Sequence, residues 1–221
     1  MPFGVDEAGK GPVFGSMFAA AVWVEDSAVL PEGIADSKRL TPARREELAG
    51  VLRADDTVRV GLAEVTAELI DEPSTDMNSL AVDAHARAIN AAVGDLDGSE
   101  LPGVVCDACD TDAERFARRV AATCQVEVSV EARHGADDED AVVAAASVIA
   151  KVERDAHIDR LAATYGEIGS GYPSDPTTRA FLESYVDDHG ELPPFARESW
   201  STCKAVLASA QQTGLDAFGD G

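Results

Sequence analysis

The sequence predicts an α/β domain, and three observations carry that reading. Short apolar runs of strand character alternate along the chain with longer segments of helical period. A hydrophobic content of 45% over 221 residues is enough for a sizeable core. No internal repeat and no low-complexity linker interrupts the alternation, so one domain with a small appendage accounts for the length.

Taken in order, residues 3–8 read as a strand that ends in Asp6 and Glu7. Residues 12–24 are an apolar run punctuated by Gly15, expected as the second strand. Thr41 and Pro42 open a helix as N-cap and first-position proline. Residues 57–65 alternate as a strand, 78–96 are Ala-rich and helical, 104–107 form a short buried strand, 112–124 a helix and 126–132 an alternating strand. A long helix over 141–165 places Val142, Val143, Ala146, Ile149, Ala150, Ile158 and Leu161 at apolar positions. Two further helices are expected near 178–189 and 199–210, and the last dozen residues read as a tail.

Charge narrows the setting. There are 41 acidic and 18 basic residues, a formal net charge of −23, and the acids are spread through amphipathic segments instead of forming one tail. That pattern fits a folded protein adapted to very high salt, where self-repulsion is screened within about 3 Å at molar ionic strength. In such a setting an acidic pI is a weak objection to a nucleic-acid substrate. Lysine is nearly excluded: the four present are Lys10, Lys38, Lys151 and Lys204. No stretch approaches the roughly 18 apolar residues of a membrane helix. The opening Met1-Pro2-Phe3-Gly4-Val5-Asp6 lacks the basic and apolar regions of a secretory leader. The expectation is a cytoplasmic protein with no membrane partner.

Cys106 and Cys109 form a lone C-x-x-C without a second pair. Residues three apart on a strand face opposite sides, so these cysteines are expected to be small apolar side chains and not zinc ligands.

The chemistry concentrates in acidic residues at predicted strand ends. Asp6-Glu7-Ala8-Gly9-Lys10-Gly11 sets two adjacent carboxylates before a glycine-permitted bend. Adjacent strand residues point to different sides unless the strand bends, and the alternative is a solvated acidic turn. Asp107 follows the apolar Val104-Val105-Cys106, where burial demands a partner or a metal, unless it caps the next helix. Asp137 opens the run Asp137-Asp138-Glu139-Asp140 ahead of the long helix, and physics alone does not choose among the four. An oxygen-rich set without histidine suits Mg²⁺ or Mn²⁺.

These segments also carry a resemblance. Gly4-Val5-Asp6-Glu7-Ala8-Gly9-Lys10-Gly11-Pro12-Val13 resembles the opening motif of the ribonuclease HII family, and Asp36-Ser37-Lys38-Arg39-Leu40 resembles a second. His134-x-Ala136-Asp137, followed by Ala145-Ala146-Ser147-Val148-Ile149-Ala150-Lys151-Val152-x-Arg154-Asp155, is similar to the family's central motif. Gly169-Ser170-Gly171-Tyr172-Pro173-Ser174-Asp175-Pro176 and Arg197-x-Ser199-Trp200-x-Thr202 resemble archaeal-type C-terminal motifs. The matches fall in order across residues 4–204, and with the charge pattern they point to an archaeal-type member from a halophile.

The resemblance implies a ribonuclease H-like fold: a mixed central sheet flanked by helices, with a small helical C-terminal region. It implies a catalytic domain over 1–207, helical from about 160, followed by a tail over 208–221. The implied catalytic and metal-binding carboxylates are Asp6, Glu7, Asp107 and Asp137, with two divalent ions, Mg²⁺ or Mn²⁺. The implied activity is endonucleolytic hydrolysis on the 5′ side of ribonucleotides in RNA–DNA hybrids, and of single ribonucleotides in duplex DNA, by a monomer. The products would carry 3′-hydroxyl and 5′-phosphate ends. Gly9, Lys10, Gly11, Lys38, Lys151 and Tyr172 are the implied substrate contacts, with the Gly9–Gly11 backbone and the Tyr172 phenol reading the 2′-hydroxyl. Without the motif, Tyr172 reads as a packing aromatic.

Two positions depart from the family pattern. Lys10 stands where an arginine is usual, and Gly135 stands where a basic residue follows the motif histidine. Near the C-terminus, Gln212, Leu215 and Phe218 resemble a sliding-clamp-binding box whose second aromatic is replaced by Gly219. Two other readings stand beside the enzyme: a silent nucleic-acid or clamp-binding module, and a sibling ribonuclease H type with a different tract-length requirement.

Overall fold

β1 (Phe3–Ala8) is the middle strand of a five-stranded sheet. The computed structural model describes residues 2–94, 101 and 103–219, with the side chains of 36–38 and 213–219 left undescribed. The chain divides into two units. The first comprises Met1–Ala8, Met17–Val65 and Asp76–Asp155; the second comprises Gly9–Ser16, Thr66–Thr75 and Ala156–Gly221.

In the first unit β1 pairs antiparallel with β2 (Met17–Val24), and β2 pairs antiparallel with β3 (Val58–Val65). On its other side β1 runs parallel to β4 (Val104–Asp107), which runs parallel to β5 (Val130–Arg133). The order is β3-β2-β1-β4-β5, a mixed sheet as expected. Helices α1 (Pro42–Ala54), α3 (Met77–Val93), α4 (Ala113–Thr123) and the short α5 (Ala136–Glu139) belong to this unit. The long α6 (Ala141–Tyr165) begins in it. Thr41 caps α1 by accepting from the Arg44 amide at 3.3 Å, with Pro42 in the first turn, as the sequence predicted.

Two glycines show how closely the helices approach the sheet. A Cβ at Gly4 would lie 2.4 Å from the Val143 nitrogen of α6, and one at Gly61 would lie 2.0 Å from the Ala88 carbonyl of α3. The register puts Gly4 and Val22 on one face and Gly61, Ala21 and Val5 on the other. The sheet is therefore covered on both faces: α1 and α6 pack over Val22 and Val24 through Leu48, Leu52, Val142 and Ile149, and α3 covers the Gly61 face.

In two places the strands differ from expectation. β2 starts at Met17, not near residue 12, because Gly15 is left-handed (φ 78°) and the Val13 backbone pairs with Gly171 and Arg197 in the second unit. β5 starts at Val130, not 126, because its partner β4 begins at Val104, which sits opposite Val130.

The second unit is helical. Besides the later turns of α6 it holds α2 (Ala67–Ile70), α7 (Pro176–His189) and α8 (Ser201–Gly219). Phe14, Ile158, Ile168, Leu182, Val186, Phe195 and Cys203 form its core. Among the described residues no helix is long and apolar enough to cross a membrane.

Candidate active site

The parallel strands β1, β4 and β5 end together, and each delivers an acid. Val5 pairs with Cys106, so the next residues, Asp6 and Asp107, leave neighbouring strands side by side. Asp107 pairs with Arg133 on β5, and the chain beyond Arg133 turns through Gly135 (φ 69°) to bring in Asp137. The carboxyl ends of parallel strands are where open α/β sheets place ligands.

Strand alternation sorts the adjacent pair. Asp6 shares the face of Gly4, toward α6, where Ser147 hydrogen-bonds its carboxylate. Glu7 shares the face of Val5, toward α3, where its Oε2 lies 2.8 Å from His85 Nε2. The two acids thus work on opposite faces without a bend in the strand, and the solvated-turn alternative fails because Asp6 is only 4% exposed. Asp107 Oδ1 accepts from the Ala136 amide at 2.7 Å, so it meets the first turn of α5. It does not cap the helix that follows it in sequence; Asp112 does that for α4.

The acidic run is resolved by burial. Asp137 is buried, Asp138 and Glu139 are exposed, and Asp140 caps α6 by accepting from the Val142 amide at 2.9 Å.

The electrostatics of the four acids are mutually unfavourable. Burial pushes the Asp6 carboxyl well above its ordinary value, and the charges of Glu7 and Asp107 push the same way. Burial also raises Asp107, with Asp137 and Glu7 adding to it, although the Ala136 amide opposes. Carboxylates buried beside like charges are costly to keep ionised unless a cation joins them, and oxygen ligands suit a hard divalent ion.

Lys151, expected at the substrate, donates to Ser147 Oγ at 2.8 Å, and Ser147 in turn bonds Asp6. It supports the carboxylate cluster through a hydroxyl. Lys38 lies in a 3₁₀ turn (Ile34–Arg39), but its side chain is outside the described residues.

The second unit presents the glycine loop. Gly9 is left-handed, with φ 90°, as a bend requires. Gly11 has no positive φ; a Cβ there would approach the Tyr172 ring at 3.9 Å, so Gly11 and Tyr172 face one another. Tyr172 is 39% exposed, which does not suit a buried packing aromatic.

One side chain, to which the sequence motifs assign no role, holds the loop's carbonyls. Arg197 is fully buried and donates to Gly9 O at 2.6 Å, Lys10 O at 3.0 Å and Gly15 O at 2.9 Å. Its guanidinium lies 5.0 Å from the Trp200 ring centroid, and Trp200 Nε1 donates to Gly11 O at 3.3 Å. Asp71 then binds the Glu198 and Ser199 amides at 2.7 and 2.9 Å. The signal available in sequence was an arginine three positions before a serine-flanked tryptophan, which does not announce three carbonyl partners.

Of the tail residues, Gln212 is exposed on α8, and the side chains of Leu215 and Phe218 lie outside the described residues.

Strand alternation does not extend to Cys109: β4 stops at Asp107, and Cys109 lies in one group with Glu7 and His85.

A mixed five-stranded sheet covered on both faces, with carboxylates at the ends of adjacent parallel strands, defines a ribonuclease H-like hydrolase. The family model described as Ribonuclease HII matches residues 3–203. The chain belongs to the ribonuclease HII family and is an endoribonuclease. It is 58% identical to the ribonuclease HII of Haloarcula marismortui over 99% of this chain and 100% of that protein. It is 56% identical to the one of Halobacterium salinarum strain R1, over 98% and 99%. Among solved structures it resembles the ribonuclease H2 of Pyrococcus horikoshii, with TM-score 0.84, 36% identity, and 95% and 98% of the two chains covered. It also resembles a ribonuclease HII of Archaeoglobus fulgidus solved in complex with PCNA, with TM-score 0.81, 35% identity, and 93% and 96% covered.

Proposed function

We propose that this endonuclease cuts on the 5′ side of ribonucleotides, both in RNA–DNA hybrids and at single ribonucleotides in duplex DNA, leaving 3′-hydroxyl and 5′-phosphate ends. The observation that carries the reading is the placing of acids near the carboxyl ends of neighbouring parallel strands, Asp6 and Glu7 on β1 and Asp107 on β4, with Asp137 in α5 just beyond β5 and like charges acting on Asp6 and Asp107. An all-oxygen, mutually repelling set fits two hard divalent ions, Mg²⁺ or Mn²⁺. Such ions, when bound, supply an acidified water and charge neutralisation at the phosphate.

The chain's own residues do the rest. Asp6 and Asp107 present carboxylates on the α6 face, with the Lys151–Ser147 pair orienting Asp6. The Ala136 amide orients Asp107, and Glu7 is steadied by His85. In the second unit, Arg197 and Trp200 hold the carbonyls of Gly9, Lys10, Gly11 and Gly15, and the amides of Gly9–Gly11 are the proposed readers of the 2′-hydroxyl. Tyr172 adds a phenol, and Lys10 and Lys38 supply positive charge for phosphate in an otherwise acidic chain.

The test is a duplex carrying one ribonucleotide, incubated in molar KCl with Mg²⁺ or Mn²⁺. A single nick 5′ to the ribonucleotide supports the reading. Cleavage only within long RNA tracts would assign the sibling specificity, and no cleavage with either ion would leave a silent binding module.

The catalytic domain over 1–207 is followed by a segment, 208–221, for which we propose sliding-clamp binding through Gln212, Leu215 and Phe218. Support comes from their anchor spacing and from the clamp-bound Archaeoglobus fulgidus relative. Truncation after Ala210 is expected to abolish clamp binding in a titration and to leave nicking unchanged; equal binding by both forms removes the tail from the reading.

A further inference from the structure

The Glu7 face of the sheet carries more than a catalytic acid. One carboxylate oxygen of Glu7, one ring nitrogen of His85 and the Sγ of Cys109 all lie within 4.8 Å of one another. Three separate elements converge there: β1 supplies Glu7, α3 supplies His85, and the turn after β4 supplies Cys109. The His85 side chain is fully buried and that of Glu7 is 10% exposed, while Cys109 is half-buried and gives the cluster its edge toward solvent. We propose that Glu7, His85 and Cys109 form a binding site for zinc or a similar thiophilic divalent ion, and that such an ion inhibits the nuclease by withdrawing Glu7 from the carboxylate set.

The ligand chemistry separates the two sites. Asp6, Asp107 and Asp137 offer only oxygen and favour hard cations, whereas a thiolate and an imidazole favour zinc, cobalt and their neighbours. A tetrahedral ion with bonds of about 2.0–2.3 Å spaces its ligand atoms about 3.3–3.7 Å apart. The 2.8 Å Glu7–His85 contact must therefore open to admit an ion, and every separation in the group lies within 4.8 Å. Three protein ligands leave a fourth position for water.

The surroundings also set the strength. A metal-binding histidine normally anchors its second nitrogen on a carboxylate or carbonyl, and loss of that partner costs 10–100-fold in affinity. Among the described residues His85 Nδ1, which is buried, meets no hydrogen-bond partner, and the ring meets Phe116 edge-on with centroids 5.1 Å apart. The site is therefore built for reversible occupancy and not for a permanent structural ion.

The inhibitory half of the proposal rests on the nuclease reading of Glu7; the binding half does not. Metal-free, reduced full-length protein in molar KCl is titrated with Co²⁺ and watched for a thiolate-to-cobalt charge-transfer band and the intense visible bands of tetrahedral cobalt. Cobalt in the oxygen-only set gives neither. The wild type is expected to show both at one equivalent and to lose them on adding zinc. Cys109→Ser is expected to lose the thiolate band and to bind zinc at least tenfold more weakly. No thiolate band in the wild type, or an equal band in Cys109→Ser, overturns the site, since Cys106, Cys124 or Cys203 would then be responsible. In parallel, zinc is added to nicking reactions containing excess Mg²⁺. Inhibition of the wild type at concentrations at least tenfold below those needed for Cys109→Ser supports the shared Glu7, and equal inhibition of both overturns it. Failure of both proteins to cleave with Mg²⁺ alone would fault the nuclease reading, and the cobalt spectrum would still judge the site.

Discussion

Two buried charges, one in each unit, have opposite fates. Asp6 is 4% exposed and sits among like charges, so burial and its neighbours push its carboxyl well above the ordinary value. Arg197 is fully buried and meets three carbonyl oxygens and the face of Trp200. The first unit gathers like charges that raise one another's carboxyls. The second supplies its buried charge with acceptors. A reactive site and a positioning scaffold can thus be told apart by whether their buried charges are satisfied within the chain.

The sharpest way to break this contrast is to neutralise both kinds of charge. Asp6→Asn or Asp107→Asn is expected to lower nicking by on the order of a hundredfold to a thousandfold or more, the cost of removing one preorganised charge at a reacting phosphate. Without metal, neither variant is expected to lose stability, because the substitution relieves repulsion. Wild type is expected to gain melting temperature on adding Mg²⁺, by linkage, and the variants to gain less. Wild-type turnover in either variant, or a large drop in metal-free stability, would make these acids structural.

Arg197→Met is expected to do the reverse. It leaves three carbonyls without their donor, at roughly 1–3 kcal/mol for each that stays buried, so unfolding in denaturant should shift by roughly 3 kcal/mol or more. Arg197→Lys keeps a charge but not the fork, and is expected to fold with weakened discrimination between RNA-containing and all-DNA duplexes. If the Met variant melts like wild type, the loop does not depend on the guanidinium.

Tyr172→Phe tests the exposed side of the same loop. Removing one hydroxyl is expected to slow cleavage at a lone ribonucleotide by about tenfold, one hydrogen bond's worth, with melting unchanged. Equal rates on that substrate would return Tyr172 to packing.

How much of this was visible beforehand follows from the range over which each force acts. Local signals held up: the Thr41-Pro42 helix start, the strand at Val104–Asp107 and the long helix at Ala141–Tyr165 are written in neighbouring residues. The start of β2 was misplaced because the backbone of Val13 is claimed by Gly171 and Arg197, more than 150 positions away in sequence. At the site, no bend separates Asp6 from Glu7, so alternation holds for them. Among the run 137–140 the residues alone left the acids level, the resemblance singled out Asp137, and its burial beside exposed Asp138 and Glu139 is not legible in one sequence. His85 was invisible as a Glu7 partner because it sits in an Ala-rich helix where a lone histidine looks like core. The strand rule says nothing about Cys109, which lies past the strand's last residue.

The smallest expected effect compares two carboxylates. Asp175 caps α7 in the second unit; hydrogen bonds from Ser170 and from the Thr177 amide hold its carboxyl down to about 2. Asp6 in the first unit is displaced the other way. A folded-state value below the ordinary 3.8 means that ionised Asp175 favours the folded form above that pH, and that this contribution fades as pH falls through about 2. Asp175→Ala is therefore expected to melt at a lower temperature than wild type at neutral pH, with a constant gap down to about pH 5 that narrows below 3.8. Asp6→Asn, measured without metal in the same buffers, is expected to melt at or above wild type at neutral pH. Its margin should shrink as acid protonates Asp6 in the wild type, beginning at a higher pH than the Asp175 effect. Melting curves across this range at constant molar KCl would show the two variants converging on wild type from opposite sides. If both approach from below, the carboxylates at the strand ends are satisfied within the chain after all, and the distinction between the two units fails.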